Sequence, residues 1–258
     1  MASRRRYRRK NSLTQRATRW LLLGGATMLV ALAVLLYKQC RGDFYNRLGV
    51  DRRVFPIVGI DISRYNGHID FDKVRESDVS FVYIKSSEGA NYRDKHFARN
   101  AMQATQAGLK VGAYHFFRKS VDGKQQAVNF MKAVAGVSLD LPLVIDVEDW
   151  NNDKGVSNGT VIARLKAMIE PLKQGGHKVM IYTNQHGYDK WIKDHFAGEM
   201  LWLCTFKPPH KVKVGHRIQQ YSHWGTIDGV KGEVDLNVFN GSRNDWNDWL
   251  ELMHKRAS

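Results

Sequence analysis

The chain has 258 residues, of which 43% are hydrophobic and 11% aromatic, with five prolines and a formal net charge of +15. That composition excludes a disordered or low-complexity chain and is enough for one sizeable core. Its two cysteines, Cys40 and Cys204, exclude a disulfide framework and show no metal-ligand spacing.

The charge is concentrated at the start. Arg4, Arg5, Arg6, Arg8, Arg9, Lys10, Arg16 and Arg19 all precede the uncharged run Trp20–Tyr37. As a helix this run is about 27 Å long at ~1.5 Å per residue, close to the thickness of a bilayer core. Trp20 and Tyr37 stand where amphipathic rings favour the membrane interface, and arginines on one side predict a cytoplasmic N-terminus. The expected organisation is a basic cytoplasmic tail over 1–19, a transmembrane signal anchor over 20–37, a polar linker over 38–55 and a globular domain over 56–258, outside the cytoplasm. A cleaved signal peptide is the rival, but its apolar region is usually shorter and ends at small residues, whereas this run ends in Tyr37-Lys38-Gln39-Cys40. Topology accounts for the basic tail, so no nucleic-acid partner is expected. Cys204 reads as a small buried hydrophobe.

From Pro56 onward, apolar runs at 57–62, 80–86, 110–117, 141–148 and 177–183 read as strands buried on both faces. Amphipathic segments at 94–107, 121–135 and 157–174 lie between them, the last with Ser157 as N-cap and Gly175-Gly176 as its stop. This alternation predicts right-handed βαβ units and a parallel sheet. After Trp191 the rhythm changes, and strands at 200–205, 216–222 and 233–239 follow with only loops between. The predicted fold is α/β: an irregular TIM-like barrel of five β/α units followed by three β-strands, with a C-terminal helix packing Trp246, Trp249 and Leu250 against it. A doubly wound open sheet is the alternative, but the glycine-rich phosphate loop of its nucleotide-binding versions is absent.

Active sites of parallel barrels lie at the C-terminal ends of the strands. There the sequence places Asp61, Glu88, the pair Asp146 and Glu148, and Asp235. Asp146 and Glu148 are two apart on a presumed strand and so point to one face. Two close carboxylates behind an apolar run cannot both ionise easily, and the raised pKa that results is what a general acid needs. A metal pair or a structural ion pair are the competing readings; with no clustered His or Cys, no metal and no cofactor are expected. Tyr65, Tyr114, Tyr182, Trp202 and Tyr221 lie near the same rim as candidate sugar-stacking platforms, although such rings are also common in cores. His115 and His186 carry no assigned role.

The motifs resemble glycoside hydrolase family 25, the Chalaropsis-type lysozymes. The resemblance runs through Gly59-Ile60-Asp61-Ile62-Ser63-Arg64-Tyr65-Asn66-Gly67, Tyr83-Ile84-Lys85-Ser86-Ser87-Glu88-Gly89, Val111-Gly112-Ala113-Tyr114-His115-Phe116, the Asp146-Val147-Glu148 motif, Gln220-Tyr221-Ser222 and Val234-Asp235-Leu236-Asn237. It covers about 57–241 and departs modestly at Asn66, Phe71 and Gln219. It implies an N-acetylmuramidase cleaving the β-1,4 bond between N-acetylmuramic acid and N-acetylglucosamine, with peptidoglycan glycan strands as partner. It further implies Glu148 as general acid, Asp146 supporting it and the substrate acetamido group, and Asp61 and Asp235 completing the acidic site. Glu88, the five aromatics and Gln220 are expected to bind substrate. A non-catalytic glycan-binding module on the same barrel is the alternative, disfavoured because a binder has little use for a repulsive acid cluster.

Overall fold

The structure, a computed structural model, describes residues 18, 20–25, 27–36 and 50–254. Contacts divide the chain into Met1–Tyr45 and Asn46–Ser258. Among the described residues of the first unit, 20–25 and 27–36 are helical and their large apolar side chains are exposed. No helix among the described residues is long and apolar enough to cross a membrane. The transmembrane helix expected over Trp20–Tyr37 is therefore not found: Ala26 and Tyr37 lie outside the described residues, and 27–36 alone spans only about 15 Å at ~1.5 Å per residue. Cys40 also lies outside them.

The second unit is a closed barrel of eight strands with a ninth appended. The strands are β1 (Val58–Ile62), β2 (Phe81–Glu88), β3 (Tyr92–Arg93), β4 (Lys110–Phe116), β5 (Leu143–Asp146), β6 (Val179–Asn184), β7 (Met200–Cys204), β8 (Ile218–Gly225) and β9 (Val234–Phe239). They hydrogen-bond in the order β1-β9-β8-β7-β6-β5-β4-β2-β3, and a β1–β2 pairing closes the ring. Helical segments follow each of the first five barrel strands: Phe71–Glu76, Phe97–Gln106, Gly123–Val134, Asn158–Gln174, and a short turn Gln185–Gly187 that continues as a π-helix to Ile192. Then come three strands with no α-helix between them, as the sequence rhythm predicts, and only a 3-10 turn, Pro209–Lys211, between β7 and β8. One departure is direction: β9 runs antiparallel to both of its neighbours. Another is the two-residue β3, which folds back on the end of β2.

Strand alternation sorts the core into two layers. Outward side chains such as Ile60, Ile62, Val82, Ile84, Val111 and Ile145 meet the helices. Inward ones, including Phe81, Tyr83, Val144, Met180, Trp202, Ile218 and Phe239, fill the barrel. Helix Asn158–Gln174 buries Val161, Leu165, Met168, Ile169 and Leu172, a stripe at helical spacing. Ser157 caps it by accepting from Thr160 N–H at 3.2 Å, and it carries Pro171 within its last turn. The end of the barrel where the parallel strands begin is plugged by helix Arg243–His254. Its Trp246 packs on Phe81, tilted at 5.4 Å, and edge to face with Phe239 at 5.1 Å. The opposite end is open. Phe55, expected in the linker, is only 9% exposed and belongs to the layer between barrel and helices, so chain packing begins before Pro56.

Candidate active site

The open end holds a cleft of about 1190 Å³. Asp61, Asp146, Glu148 and Asp235 all line it, as do Glu88, Tyr65, Tyr114, Tyr182, Trp202 and Gln220. Tyr221 does not: with Gln220 facing inward, its neighbour faces outward into the layer between barrel and helices. Its expected place on the substrate is corrected accordingly.

The acids differ sharply in surroundings. Asp146 ends β5 and is buried, and its Oδ1 has no hydrogen-bond partner within the described protein. Glu148 lies just past the strand end but still lines the cleft. Burial raises the carboxyl of Asp146 well above the usual range, and the charge of Glu148 adds to this. Burial likewise pushes Glu148 up to about 7. Asp61 on β1 faces Asp235 on β9 across an antiparallel pair. Its Oδ2 accepts from Gln220 Nε2 at 2.9 Å and Asn237 Nδ2 at 2.7 Å. Burial first, and then Asp235, hold its carboxyl well above the ordinary value against those two donors.

His223, which strand alternation does not predict, completes the centre. Its Nδ1 is 2.8 Å from Asp235 Oδ1. Burial opposes protonation of this imidazole, but the bond to Asp235 prevails and its pKa is raised. Alternation from Gln220 would turn His223 away from the cleft. Register shifts on β8 between Gln220 and Ser222 and between Ser222 and Gly225 re-aim it. Such bulges redirect side chains in this way, often beside active sites. A similar shift between Lys85 and Ser87 on β2 lets Lys85 and Glu88, three apart, both face the cleft. Glu88 is thereby ion-paired to Lys85 Nζ at 2.7 Å and to Arg118 Nε at 2.8 Å. Burial opposes ionisation of Glu88, but the two cations outweigh it and lower its pKa.

The aromatic floor comprises Tyr182 and Trp202, edge to face at 4.9 Å. Tyr182 Oη donates to Gln220 Oε1 at 2.7 Å, and Trp202 Nε1 to Asn237 Oδ1 at 2.9 Å. Tyr65 and Trp150 stand on the rim, 80% and 72% exposed. Phe206 and Trp224 form a further wall, their rings 5.5 Å apart. The sequence signal for His223 and Trp224 was their place directly after Gln220-Tyr221-Ser222, at a strand end. His115 does not reach the cleft: it is buried between Ser87 Oγ (2.8 Å) and Gln126 Oε1 (3.2 Å), and burial lowers its pKa to about 4. His186 lies on the rim, 3.5 Å from Asp149. Among the described residues no group of three His, Cys, Asp or Glu is arranged to hold a metal ion.

An open cleft at strand ends, floored by aromatics and centred on a carboxyl held near neutrality, suits proton transfer to a sugar's leaving oxygen. Comparison with known proteins agrees. The chain matches Glycosyl hydrolases family 25 over residues 60–230. It is 33% identical to the autolytic lysozyme of Clostridium acetobutylicum, over 70% of this chain and 55% of that one. With lysozyme M1 of Streptomyces globisporus it shares 32% identity, over 72% and 68% of the two chains. A family 25 glycosyl hydrolase structure from Bacillus anthracis superposes with a TM-score of 0.70 at 34% identity, covering 77% of this chain and 94% of that one. The chain belongs to glycosyl hydrolase family 25, and is a glycoside hydrolase.

Proposed function

We propose that this enzyme is a lysozyme that cleaves the β-1,4 bond between N-acetylmuramic acid and N-acetylglucosamine in peptidoglycan, and that it works from the outer face of a membrane. The observation that carries the catalytic reading is the Asp146–Glu148 pair at the end of β5, with Glu148 held up at about 7 by burial. Glu148 gives its proton to the oxygen of the departing sugar as the glycosidic C–O bond breaks. The nucleophile is the substrate's own acetamido oxygen, which bonds to C1. Asp146, whose Oδ1 is buried and unpartnered, accepts the acetamido N–H and steers that attack. Water then opens the cyclic intermediate, with Glu148 as base, so configuration is retained. Asp61 and Asp235 shape the field around the developing positive charge.

The experiment is digestion of purified peptidoglycan, with identification of the new reducing end and NMR of the first-formed anomer. N-acetylmuramic acid at the reducing end and an initial β-anomer are expected. An initial α-anomer would reject the acetamido route while leaving Glu148 as the acid. Glu148→Gln should lower turnover roughly 10²–10⁴-fold with binding largely kept. Support for membrane attachment comes from the sequence: the uncharged run Trp20–Tyr37, the arginines before it, and a domain that begins only after residue 45.

A further inference from the structure

Beside the cleft lies a second pocket of about 410 Å³, lined by Arg64, Tyr65, Tyr92, Arg93, Asp94, Lys95 and His96. It forms where β3 folds back along the end of β2, facing the single helical turn Arg64–Asn66 after β1. The reversal turns on Gly89, whose φ of 53° suits glycine. Arg64, Tyr65 and Tyr92 line both hollows, so the two adjoin across these side chains.

Their electrostatics differ. On the cleft wall Lys85 and Arg118 are committed to Glu88. In the side pocket none of Arg64, Arg93 and Lys95 is ion-paired with a carboxylate among the described residues. The one acid there, Asp94, is buried and turned into its own backbone, accepting from His96 N–H at 2.9 Å. Arg64 is braced over the rings of Tyr65 at 4.8 Å and Tyr92 at 5.4 Å, with its guanidinium donating to Tyr65 Oη at 2.9 Å. A planar, braced guanidinium flanked by two further cations is built for a carboxylate, which it can bind with two parallel hydrogen bonds. Thus one end of an acidic catalytic cleft is free positive charge, and peptidoglycan carries a short acidic peptide on every second sugar.

We propose that this pocket binds a carboxylate of the peptide stem on a muramic acid residue, and so sets the register in which the glycan crosses the acidic centre. The inference rests on the muramidase reading above. Arg64, Arg93 and Lys95 attract the stem's carboxylates to one end of the cleft, so the polymer is drawn into one alignment. A glycan without stems keeps only the short lactyl carboxylate on the sugar itself and lacks the peptide carboxylates that extend away from the glycan toward this pocket.

The test uses the full-length protein with two substrates: peptidoglycan glycan with its stems, and the same glycan stripped by an amidase. Stripping frees the lactyl carboxylate but removes the peptide. The wild type is expected to favour the stem-bearing chains through KM, and added salt should erode that preference by screening. Arg93→Ala with Lys95→Ala should cut the kcat/KM ratio between the two substrates by roughly three- to tenfold, the scale of a few exposed charge contacts. The conservative pair Arg93→Lys with Lys95→Arg should restore it. An equal loss on both substrates, or no loss on either, overturns the pocket assignment. Failure of the wild type to cleave either substrate overturns instead the muramidase reading.

Discussion

Glu148 is held near 7 chiefly by desolvation; the charge of His223 pulls it down, Asp235 pushes it up and Lys85 pulls it down again. As a general acid it acts when protonated, so activity should be present below about pH 7 and fall as pH rises through that value. His223 supplies part of the restraint, because its bond to Asp235 raises its pKa despite burial and favours the imidazolium. Replacing it with a neutral residue removes a positive charge from beside Glu148. In His223→Gln the alkaline limb of kcat/KM should therefore move to higher pH, with the chemistry still dependent on Glu148. A limb that stays put, or moves down, would mean that another group sets it. The same site shows how a residue can escape the sequence. Asp61, Asp146, Glu148 and Asp235 were legible because strand ends obey a simple rule. His223 was not, because its orientation depends on bulges in β8 that no local pattern announces. The converse error at Tyr221 has the same origin: a motif places a residue on a strand but does not say which face it takes.

At the scale of elements, the helices Gly123–Val134 and Asn158–Gln174 approach closely enough to require a glycine. A Cβ added at Gly123 would stand 1.9 Å from the carbonyl oxygen of Arg164, a backbone atom that cannot swing aside. Gly123→Ala should push the two helices apart and lower the unfolding free energy by roughly 1–3 kcal/mol or more. Gly159, in the first turn of the second helix, meets nothing within 4 Å. Gly159→Ala should be neutral or stabilising by up to about 1 kcal/mol, through helix propensity. Urea unfolding of both variants checks the pair. Comparable destabilisation by the two would show that propensity or the unfolded state, not the close approach, sets the cost. The strands that were easiest to read, such as Leu143–Asp146, are buried on both faces, and their apolar runs announce them. Tyr92–Arg93 escaped because two residues carry no period, and the six-residue helix Phe71–Glu76 because it has fewer than two turns. The direction of β9 is equally silent in the sequence: an apolar run reads the same whichever way its neighbours point.

At the scale of the molecule, the barrel is complete without the N-terminal segment. Its ring closes through β1 and β2, and its lower end is plugged by Trp246 and Trp249 from its own C-terminal helix. The unit that contains all of these begins at Asn46. The segment before it carries Trp20, Leu21, Leu22, Met28, Leu29 and Leu35 with more than half of their surface exposed. A run of this kind has two physical fates, burial in another apolar medium or association in water, and the flanking arginines favour a membrane with anionic lipid on the side where they lie. Removing residues 1–45 should therefore leave a folded, active hydrolase while changing where it is found. The full chain should sediment with membranes and resist extraction by high salt, since apolar burial is not screened as surface charge is. The truncated chain should appear in the soluble fraction with kcat/KM on soluble glycan fragments unchanged within about twofold, an allowance for small effects between separate units. Release of the full chain by salt alone would reduce the attachment to arginines on a charged surface. Loss of activity in the truncated chain would show that the barrel depends on a segment it does not need for closure.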